Sequence, residues 1–260
     1  MSGRRSRRRR HQPSSVRPDS QPLPVCSWVL PLDMALDSVD DACVYCTEKM
    51  SKLVKEFYLV QEMNTNTEFR NAWYEGQNRA KPGDGLNKEQ AVATWVYTSN
   101  DIYTKFNEAV SNGKGSYENG KFQYTSLYFF LTTAIQCLKK KQQPHMITYR
   151  RTANFYHNIP KGTTVRLGRF ASSSWDAKAN VNFGNKTCFK THTQFGADIS
   201  NFSVYKQENE ILIPPYEKFR VISVQYRMYN PYLWCEVVYT LQSVGTQSNL
   251  NCALIHKGEL

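Results

Sequence analysis

Apolar residues in the first half of the chain recur at intervals of three and four, which is the period of an amphipathic α-helix. Four segments between about residues 33 and 142 follow this pattern: DDACVYCTEKMSKLVKEFYLVQEM, NKEQAVATWVYTS, NDIYTKFNEAVSNGK and KFQYTSLYFFLTTAIQCLKKK. The first begins with acidic residues, the second has Asn87 as a candidate N-cap, and the third ends at a glycine. The fourth is the most apolar, and its terminal lysines suit a helix C-terminus.

After Pro144 the pattern changes to short β-rich runs separated by Gly, Asn and Pro. The predicted strands lie in HMITYRRT, GTTVRLGRFASSS, KTCFKTHTQF, FSVYK, ILIPPYEKFRVISVQYRM and LWCEVVYTLQSV. Helices first and strands afterwards predict an α+β fold, with a helical part at about 33–142 and a β-rich part at about 145–255. Strands and helices do not alternate, which disfavours a doubly wound parallel sheet, and no Gly-rich dinucleotide or Walker loop occurs.

Charge divides the chain into an arm and a domain. The net charge is +11, and residues 1–20 carry seven of the arginines against one aspartate. We interpret residues 1–25 as a disordered basic arm and residues 26–260 as a single domain. Such an arm can also bind RNA, import receptors or acidic lipid. With 40% hydrophobic residues the remainder is typical of a globular domain, and no apolar run is long enough to predict a transmembrane helix.

Cysteines and glycosylation sequons point to the secretory pathway. The chain has seven cysteines with only one C-x-x-C pair, which disfavours a zinc site, and an odd count leaves at least one thiol unpaired within the chain. Sequons occur at Asn185 and Asn201. We expect an extracellular or cell-surface protein, although neither a signal peptide nor an anchor segment can be identified in this sequence.

Three polar features in the β-rich part are candidates for chemistry. Arg150 lies at the end of a predicted strand, Ser172 opens a serine triplet, and Glu208 and Glu210 stand one residue apart before an apolar run. Residues two apart on a strand face the same side, so both carboxylates should point into one space, where each raises the pKa of the other. Each feature alone is typical of a surface charge, a turn or a solvated edge; together they suit a site that holds cations.

In this order the features resemble the arginine–serine–glutamate signature of the arginine-specific mono-ADP-ribosyltransferases, and among them the vertebrate ecto-enzymes, particularly fish members. The resemblance extends over about residues 31–255 and includes LDMALDSVDDACVYC, AVATWVYT, YFFLTTAIQCL, VRLGRFASSS, FGADISNFSVY, ILIPPYEKFRV and SNLNCAL. It implies an N-terminal helical part packed on two mainly antiparallel β-sheets that form an NAD cleft.

The resemblance also implies an activity and a set of site residues. The expected reaction transfers ADP-ribose from NAD to arginine side chains of an acceptor protein and releases nicotinamide. Glu210 would stabilise positive charge on the ribose, and Glu208 would receive the target guanidinium. NAD would be bound by Tyr149, Arg150, Arg151, Ser172, Phe183 and Glu210. We expect NAD as the co-substrate, no metal, no nucleic acid partner and a monomer.

Two departures from the family pattern leave questions open. Tyr149-Arg150-Arg151 stands where relatives usually read Tyr-Arg-Gly, so Arg151 either points away from NAD or weakens its binding. One disulfide common in relatives lacks both cysteines here. Cys46–Cys252 matches the terminal disulfide of the family, we also pair Cys188 with Cys235, and Cys26, Cys43 and Cys137 remain unassigned. The alternatives to a transferase are an enzyme that mainly hydrolyses NAD, a degenerate relative that acts as an interaction protein, and a nucleic-acid binder.

Overall fold

The computed structural model describes residues 29–99, 101–156, 158–179 and 181–255. The predicted basic arm, residues 1–25, and Cys26 lie outside the described residues. Within them helices precede strands, so the predicted α+β class is confirmed. The prediction that residues 26–260 form one domain stays a prediction.

Seven α-helices occupy the first part of the described chain. Their bounds are α1 Thr47–Leu53, α2 Leu59–Thr65, α3 Thr67–Arg79, α4 Lys88–Thr98, α5 Tyr103–Asn112, α6 Lys114–Glu118 and α7 Thr125–Lys139, with a π-helical turn, Val54–Tyr58, joining α1 to α2. Asn87 caps α4 as predicted: its side chain accepts from Gln90 N, and the Gln90 side chain accepts from Asn87 N.

Two helix predictions need correction. The first predicted helix begins at Thr47, because Cys43 and Tyr45 adopt the left-handed conformation, with φ of 53° and 69°. The side chain of Asp41 holds this turn by accepting from the backbone N–H groups of Cys43 and Cys252. Helix α3 was not predicted, although Asn66 caps it by accepting from Phe69 N at 3.0 Å.

Nine strands form the second part, and one further short strand, β1, lies near the start of the described chain. Their bounds are β1 Val29–Leu30, β2 Met146–Thr152, β3 Phe155–Tyr156, β4 Thr164–Arg166, β5 Ala171–Ser174, β6 Thr187–Thr193, β7 Ala197–Asp198, β8 Glu210–Ile213, β9 Glu217–Tyr226 and β10 Val237–Thr246. The segment FSVYK is not a strand: it runs through turns into a 3-10 turn, Lys206–Glu208, so this prediction is wrong.

Eight strands are hydrogen-bonded in the order β4-β9-β10-β6-β2-β5-β8-β7, while β1 pairs with β3. All pairs in the large sheet are antiparallel except β10 with β6. Strands β2 and β5 share a single residue pair, Tyr149 with Ser174, whereas β2 and β6 share a ladder that runs from Met146 to Thr152. The two predicted sheets are thus the two sides of a mixed sheet that meet at a narrow seam between β2 and β5.

Phe170 docks the β-rich part onto the helical core. Its fully buried ring lies 5.6 Å from the ring of Phe106, 6.0 Å from that of Tyr97 and 5.4 Å from that of Tyr128. Aromatic contacts of this kind stabilise by their area and by their geometry. Because Phe170 directly precedes β5, this contact fixes where the strand and Ser172 begin.

The described residues contain two disulfides, Cys46–Cys252 and Cys188–Cys235, each with a Cα–Cα distance of 6.0 Å. Both expected pairings are therefore present. Cys43 is a buried free thiol and Cys137 a half-buried one. In the part of the chain that the structure describes, no helix combines the length and apolarity needed to cross a membrane.

Candidate active site

A cavity of about 610 Å³ opens where the helical part faces the seam of the sheet. Helix α4 contributes Tyr97 and Thr98 to its wall, and helix α5 contributes Tyr103. The predicted site residues that line it are Tyr149, Arg150, Arg151, Ser172, Phe183, Glu208 and Glu210. All seven predicted side chains, which span 62 positions of sequence, therefore meet around one space.

Glu210 begins β8 and is only 5% exposed. Burial is the main cause that raises the pKa of its carboxyl to about 7, and the nearby Glu208 acts in the same direction. Hydrogen bonds from Ser172 and Ser203 and the charge of Arg150 oppose this shift, with Ser203 Oγ 3.3 Å from Glu210 Oε2. Desolvation prevails, so this carboxyl changes charge near neutral pH.

Glu208 reaches the same cavity by a different backbone route from the one predicted. It ends the 3-10 turn, and Asn209 follows in the left-handed conformation at φ 48° and ψ 54°. The argument from strand alternation is therefore wrong, because only Glu210 lies on a strand. Ser174 Oγ donates to Glu208 O at 2.9 Å and fixes the turn, and partial burial raises the pKa of Glu208.

Arg150 bridges the seam of the sheet. It lies near the end of β2, and its Nη1 donates to the backbone oxygen of Ser172 on β5 at 2.6 Å. A charged donor to a carbonyl is a strong hydrogen bond. The guanidinium also borders a second cavity of about 660 Å³, so the cleft continues past Arg150 away from Glu210.

A buried hydrogen-bonded chain connects Ser172 to the helical part, and the sequence did not reveal it. The Tyr97 hydroxyl lies 3.2 Å from both Ser172 Oγ and Phe170 O, and Asn107 Nδ2 donates to it at 3.4 Å. The sequence also did not indicate that Ser203 contacts Glu210. The only available signals were the positions of Tyr97 and Ser203 inside the blocks AVATWVYT and FGADISNFSVY, which do not predict contacts.

Arg151 does not extend freely into the cavity. Its Nη2 donates to Ala177 O at 2.9 Å and its Nη1 to Trp234 O at 3.4 Å. Phe183, at the end of the 3-10 turn Val181–Phe183, is 57% exposed at the cavity rim. Tyr149 contacts the Trp234 ring edge-on at 5.9 Å. Within the described ranges, His, Cys, Asp and Glu side chains form no group of three that could hold a metal ion.

Comparisons with known proteins point to one family of enzymes. A sequence profile described as NAD:arginine ADP-ribosyltransferase matches residues 32–233. Ecto-ADP-ribosyltransferase 5 of Bos taurus is 37% identical over 73% of this chain, which spans 65% of that relative's length. NAD(P)(+)--arginine ADP-ribosyltransferase 1 of Gallus gallus is 34% identical over 86% of this chain and 73% of its own.

The solved structure of the eukaryotic mono-ADP-ribosyltransferase ART2.2 matches with a TM-score of 0.72 and 30% identity, over 86% of this chain and 98% of its own. Variants of ART2.2 have been solved in complex with NADH and with NAD. The fold is thus that of an ADP-ribosyltransferase. The chain belongs to the NAD:arginine ADP-ribosyltransferase family, which confirms the prediction, from its sequence, of an enzyme that uses NAD as co-substrate and acts on arginine.

Proposed function

We propose that the chain transfers ADP-ribose from NAD to arginine side chains of an acceptor protein, with Glu210 as the central catalytic residue. The observation that carries this proposal is the position of Glu210: a buried carboxyl with a pKa of about 7 that shares one cavity with Arg150, Ser172 and Glu208. The bond between the ribose and the nicotinamide nitrogen breaks, and nicotinamide leaves with the electron pair. A guanidine nitrogen of the acceptor then bonds to the same ribose carbon.

Glu210 acts on the sugar in this mechanism. Cleavage of a glycosidic bond passes through an oxocarbenium-like state, whose positive charge a fixed carboxylate stabilises. Ser172 and Ser203 hold the carboxylate by hydrogen bonds to its charged form. Their hydroxyls favour ionisation, so they support the state of Glu210 that the reaction needs.

Glu208 acts on the acceptor. An arginine side chain is a cation with a pKa above 12, and it must lose a proton before its nitrogen lone pair can form the new bond. Glu208 is half-buried at the cavity wall, where it can orient the guanidinium and accept that proton before releasing it to water. The raised pKa of Glu208 makes it a better base than an exposed glutamate.

The remaining predicted residues bind NAD. Arg150 offers its second guanidinium nitrogen to phosphate or ribose oxygens while Nη1 is held by Ser172 O. Tyr149 and the exposed ring of Phe183 provide flat surfaces at the cavity wall and rim. The second cavity beyond Arg150 supplies room for the rest of an extended dinucleotide.

We propose that the protein works as a monomer outside the cell or at its surface. Relatives are named as ecto-enzymes, and two disulfides support an oxidising compartment. The side chains of Asn185 and Asn201, the two sequon asparagines, are exposed and accessible to a glycan. The acceptor protein is not identified.

Incubation of the full chain with labelled NAD and agmatine tests the proposal, with putrescine as a control acceptor that lacks a guanidinium. A labelled agmatine adduct, absent with putrescine, is the expected result. Free ADP-ribose without adduct would indicate a glycohydrolase, and no turnover would indicate a degenerate relative.

A further inference from the structure

Two loops that are far apart in sequence flank the wall of the cavity at β2. The first, residues 175–179, follows β5 and contributes Asp176, Ala177 and Ala179 to the cavity lining. The second, residues 227–236, connects β9 to β10 and carries Trp234, which packs against the cavity-lining Tyr149. Arg151 lies on β2 between them.

The guanidinium of Arg151 contacts both loops at once. Nη2 donates to Ala177 O in the 175–179 loop at 2.9 Å, and Nη1 donates to Trp234 O in the 227–236 loop at 3.4 Å. Its central carbon also lies 4.8 Å from the centre of the Trp234 ring, which is a cation–π distance. Only a planar fork of donors can serve two carbonyls in fixed directions and stack on a ring at the same time.

Each loop also has contacts of its own, which provide a comparison for Arg151. In the 175–179 loop, Asp176 Oδ1 accepts from Lys178 N at 2.8 Å. In the 227–236 loop, Arg227 Nε donates to Leu233 O at 3.0 Å, and Cys235 anchors the loop to β6 through Cys188. Arg227 therefore braces one loop internally, whereas Arg151 reaches from β2 to both.

We propose that Arg151 is a positioning residue that ties the 175–179 loop to the 227–236 loop and so holds this wall of the NAD cavity in its binding shape. The proposal rests on the proposed function, because it takes NAD as the ligand of this cavity. It gives the second arginine of Tyr149-Arg150-Arg151 a role that the sequence left open. Loops that are already ordered before the ligand binds lose less conformational entropy on binding.

The environment of Arg151 opposes its charge. Burial and the nearby charge of Arg227 lower the pKa of Arg151, and Asp176 only partly opposes them. Its Nε is buried with no hydrogen-bond partner among the described residues. Partial burial of a charge with one unsatisfied donor costs free energy, so the gain from the tie should be found locally, in the two loops and in NAD binding.

The test uses the full chain and measures the Kd of NAD directly by calorimetry for the wild type, Arg151→Met and Arg151→Lys. Methionine keeps an unbranched stem over Trp234 but has no donors, and lysine keeps the charge but cannot fork between two carbonyls. We expect both variants to bind NAD about tenfold more weakly, which corresponds to about 1.4 kcal/mol. Unchanged or tighter binding in Arg151→Met, or full affinity in Arg151→Lys, would overturn the tie.

Hydrogen exchange supplies the readout that a merely structural role would not give, and Arg227→Met is the matched control. In Arg151→Met the amides of both loops should exchange faster together, whereas in Arg227→Met only those of the 227–236 loop should. An equal rise in the NAD Kd for Arg227→Met would refute a special role of Arg151. Because Kd is measured without turnover, a wild type that binds NAD but transfers nothing contradicts the proposed function alone.

Discussion

The helical and β-rich parts each bury one glutamate beside a cavity of similar size, and the two carboxylates differ in what holds them. Glu62 on α2 is 4% exposed, burial raises its pKa to about 8, and its cavity has about 650 Å³. Glu210 is 5% exposed, has a pKa of about 7, and lines a cavity of about 610 Å³. Neither cavity volume nor a raised pKa distinguishes them.

The hydrogen-bond partners distinguish them. Both carboxylate oxygens of Glu62 accept from Ser126 N at 3.2 Å, in the first turn of α7, where backbone N–H groups lack helical partners. Glu210 is held by the hydroxyls of Ser172 and Ser203, with Arg150 and Glu208 on the same cavity. Glu62 is held from the first turn of α7 and completes that helix, whereas Glu210 is held by hydroxyls from two separate segments of the β-rich part.

The largest effect that this comparison predicts is the loss of activity in Glu210→Gln. Losing a fixed charge that faces the reacting centre typically costs a factor of about 100 to 1,000. We expect both ADP-ribose transfer and NAD hydrolysis to fall by that factor, with no decrease in Tm. Glu62→Gln is the matched control, since its amide oxygen still accepts from Ser126 N, and its turnover should equal that of the wild type. Near-normal turnover in Glu210→Gln would contradict the assignment.

Glu208→Gln should separate the two reactions that Glu210→Gln abolishes together. Transfer to agmatine should fall about a hundredfold, in the range for loss of a general base. Slow hydrolysis of NAD should persist, because Glu208 acts on the acceptor and not on the ribose. The measurement is the ratio of agmatine adduct to free ADP-ribose. A ratio equal to that of the wild type, with both rates lowered, would place Glu208 on NAD instead.

The pH dependence sharpens the comparison further. Glu210 must be ionised to stabilise the sugar cation, and its pKa is raised to about 7. The kcat/KM for NAD should therefore decrease below about pH 7 and approach a tenfold loss per pH unit. Ser203→Ala removes a hydrogen bond to the charged form, so this limb should move to higher pH. If the acidic limb of the pH profile did not move in Ser203→Ala, the limb would not report the ionisation of Glu210.

The smallest expected difference concerns the two disulfides, of which one links the two regions and the other lies within the β-rich part. Cys46–Cys252 joins the start of α1 to the end of the described chain across 206 positions, whereas Cys188–Cys235 spans 47. In the chain-entropy picture the longer loop contributes about 1 kcal/mol more to the free energy of unfolding. Urea unfolding of Cys46→Ser/Cys252→Ser and Cys188→Ser/Cys235→Ser measures the difference. A greater loss from the second pair would show that strain or local packing outweighs loop length.

The sequence predicted which residues line the cavity better than it predicted how the backbone positions them. The change of apolar period near Pro144 predicted the α+β class, and each of the seven site residues implied by the family resemblance lines the cavity. It could not show that Glu208 lies on a turn, because the left-handed conformation of Asn209 leaves no trace in hydrophobic periodicity. The prediction that Glu208 and Glu210 share one space agrees with the cavity lining, but the strand alternation from which it was argued is absent.

Contacts between segments that are distant in the chain could not be predicted from the sequence, and the reason is physical. Tyr97 meets Ser172 across 75 positions, and only the docking of Phe170 into the helical core brings them together. In the same way, the carbonyls that hold Arg151 belong to residues 26 and 83 positions away. Such partners depend on how elements pack, which a single sequence does not specify through composition or period.

The seam between β2 and β5 has a consequence for how the enzyme responds to its own substrate. One residue pair and the Arg150 contact to Ser172 O connect the two sides of the sheet at this place. A dinucleotide bound in the proposed way contacts Arg150 on one side of the seam and Glu210 on the other, and so connects the two sides of the sheet. Ligands that bind only the folded state stabilise it, by about 2.7 kcal/mol at a hundred times Kd. Saturation with NAD should therefore slow the separation of the two sheets under heat or mechanical load, and the enzyme should be most resistant to unfolding where NAD is abundant.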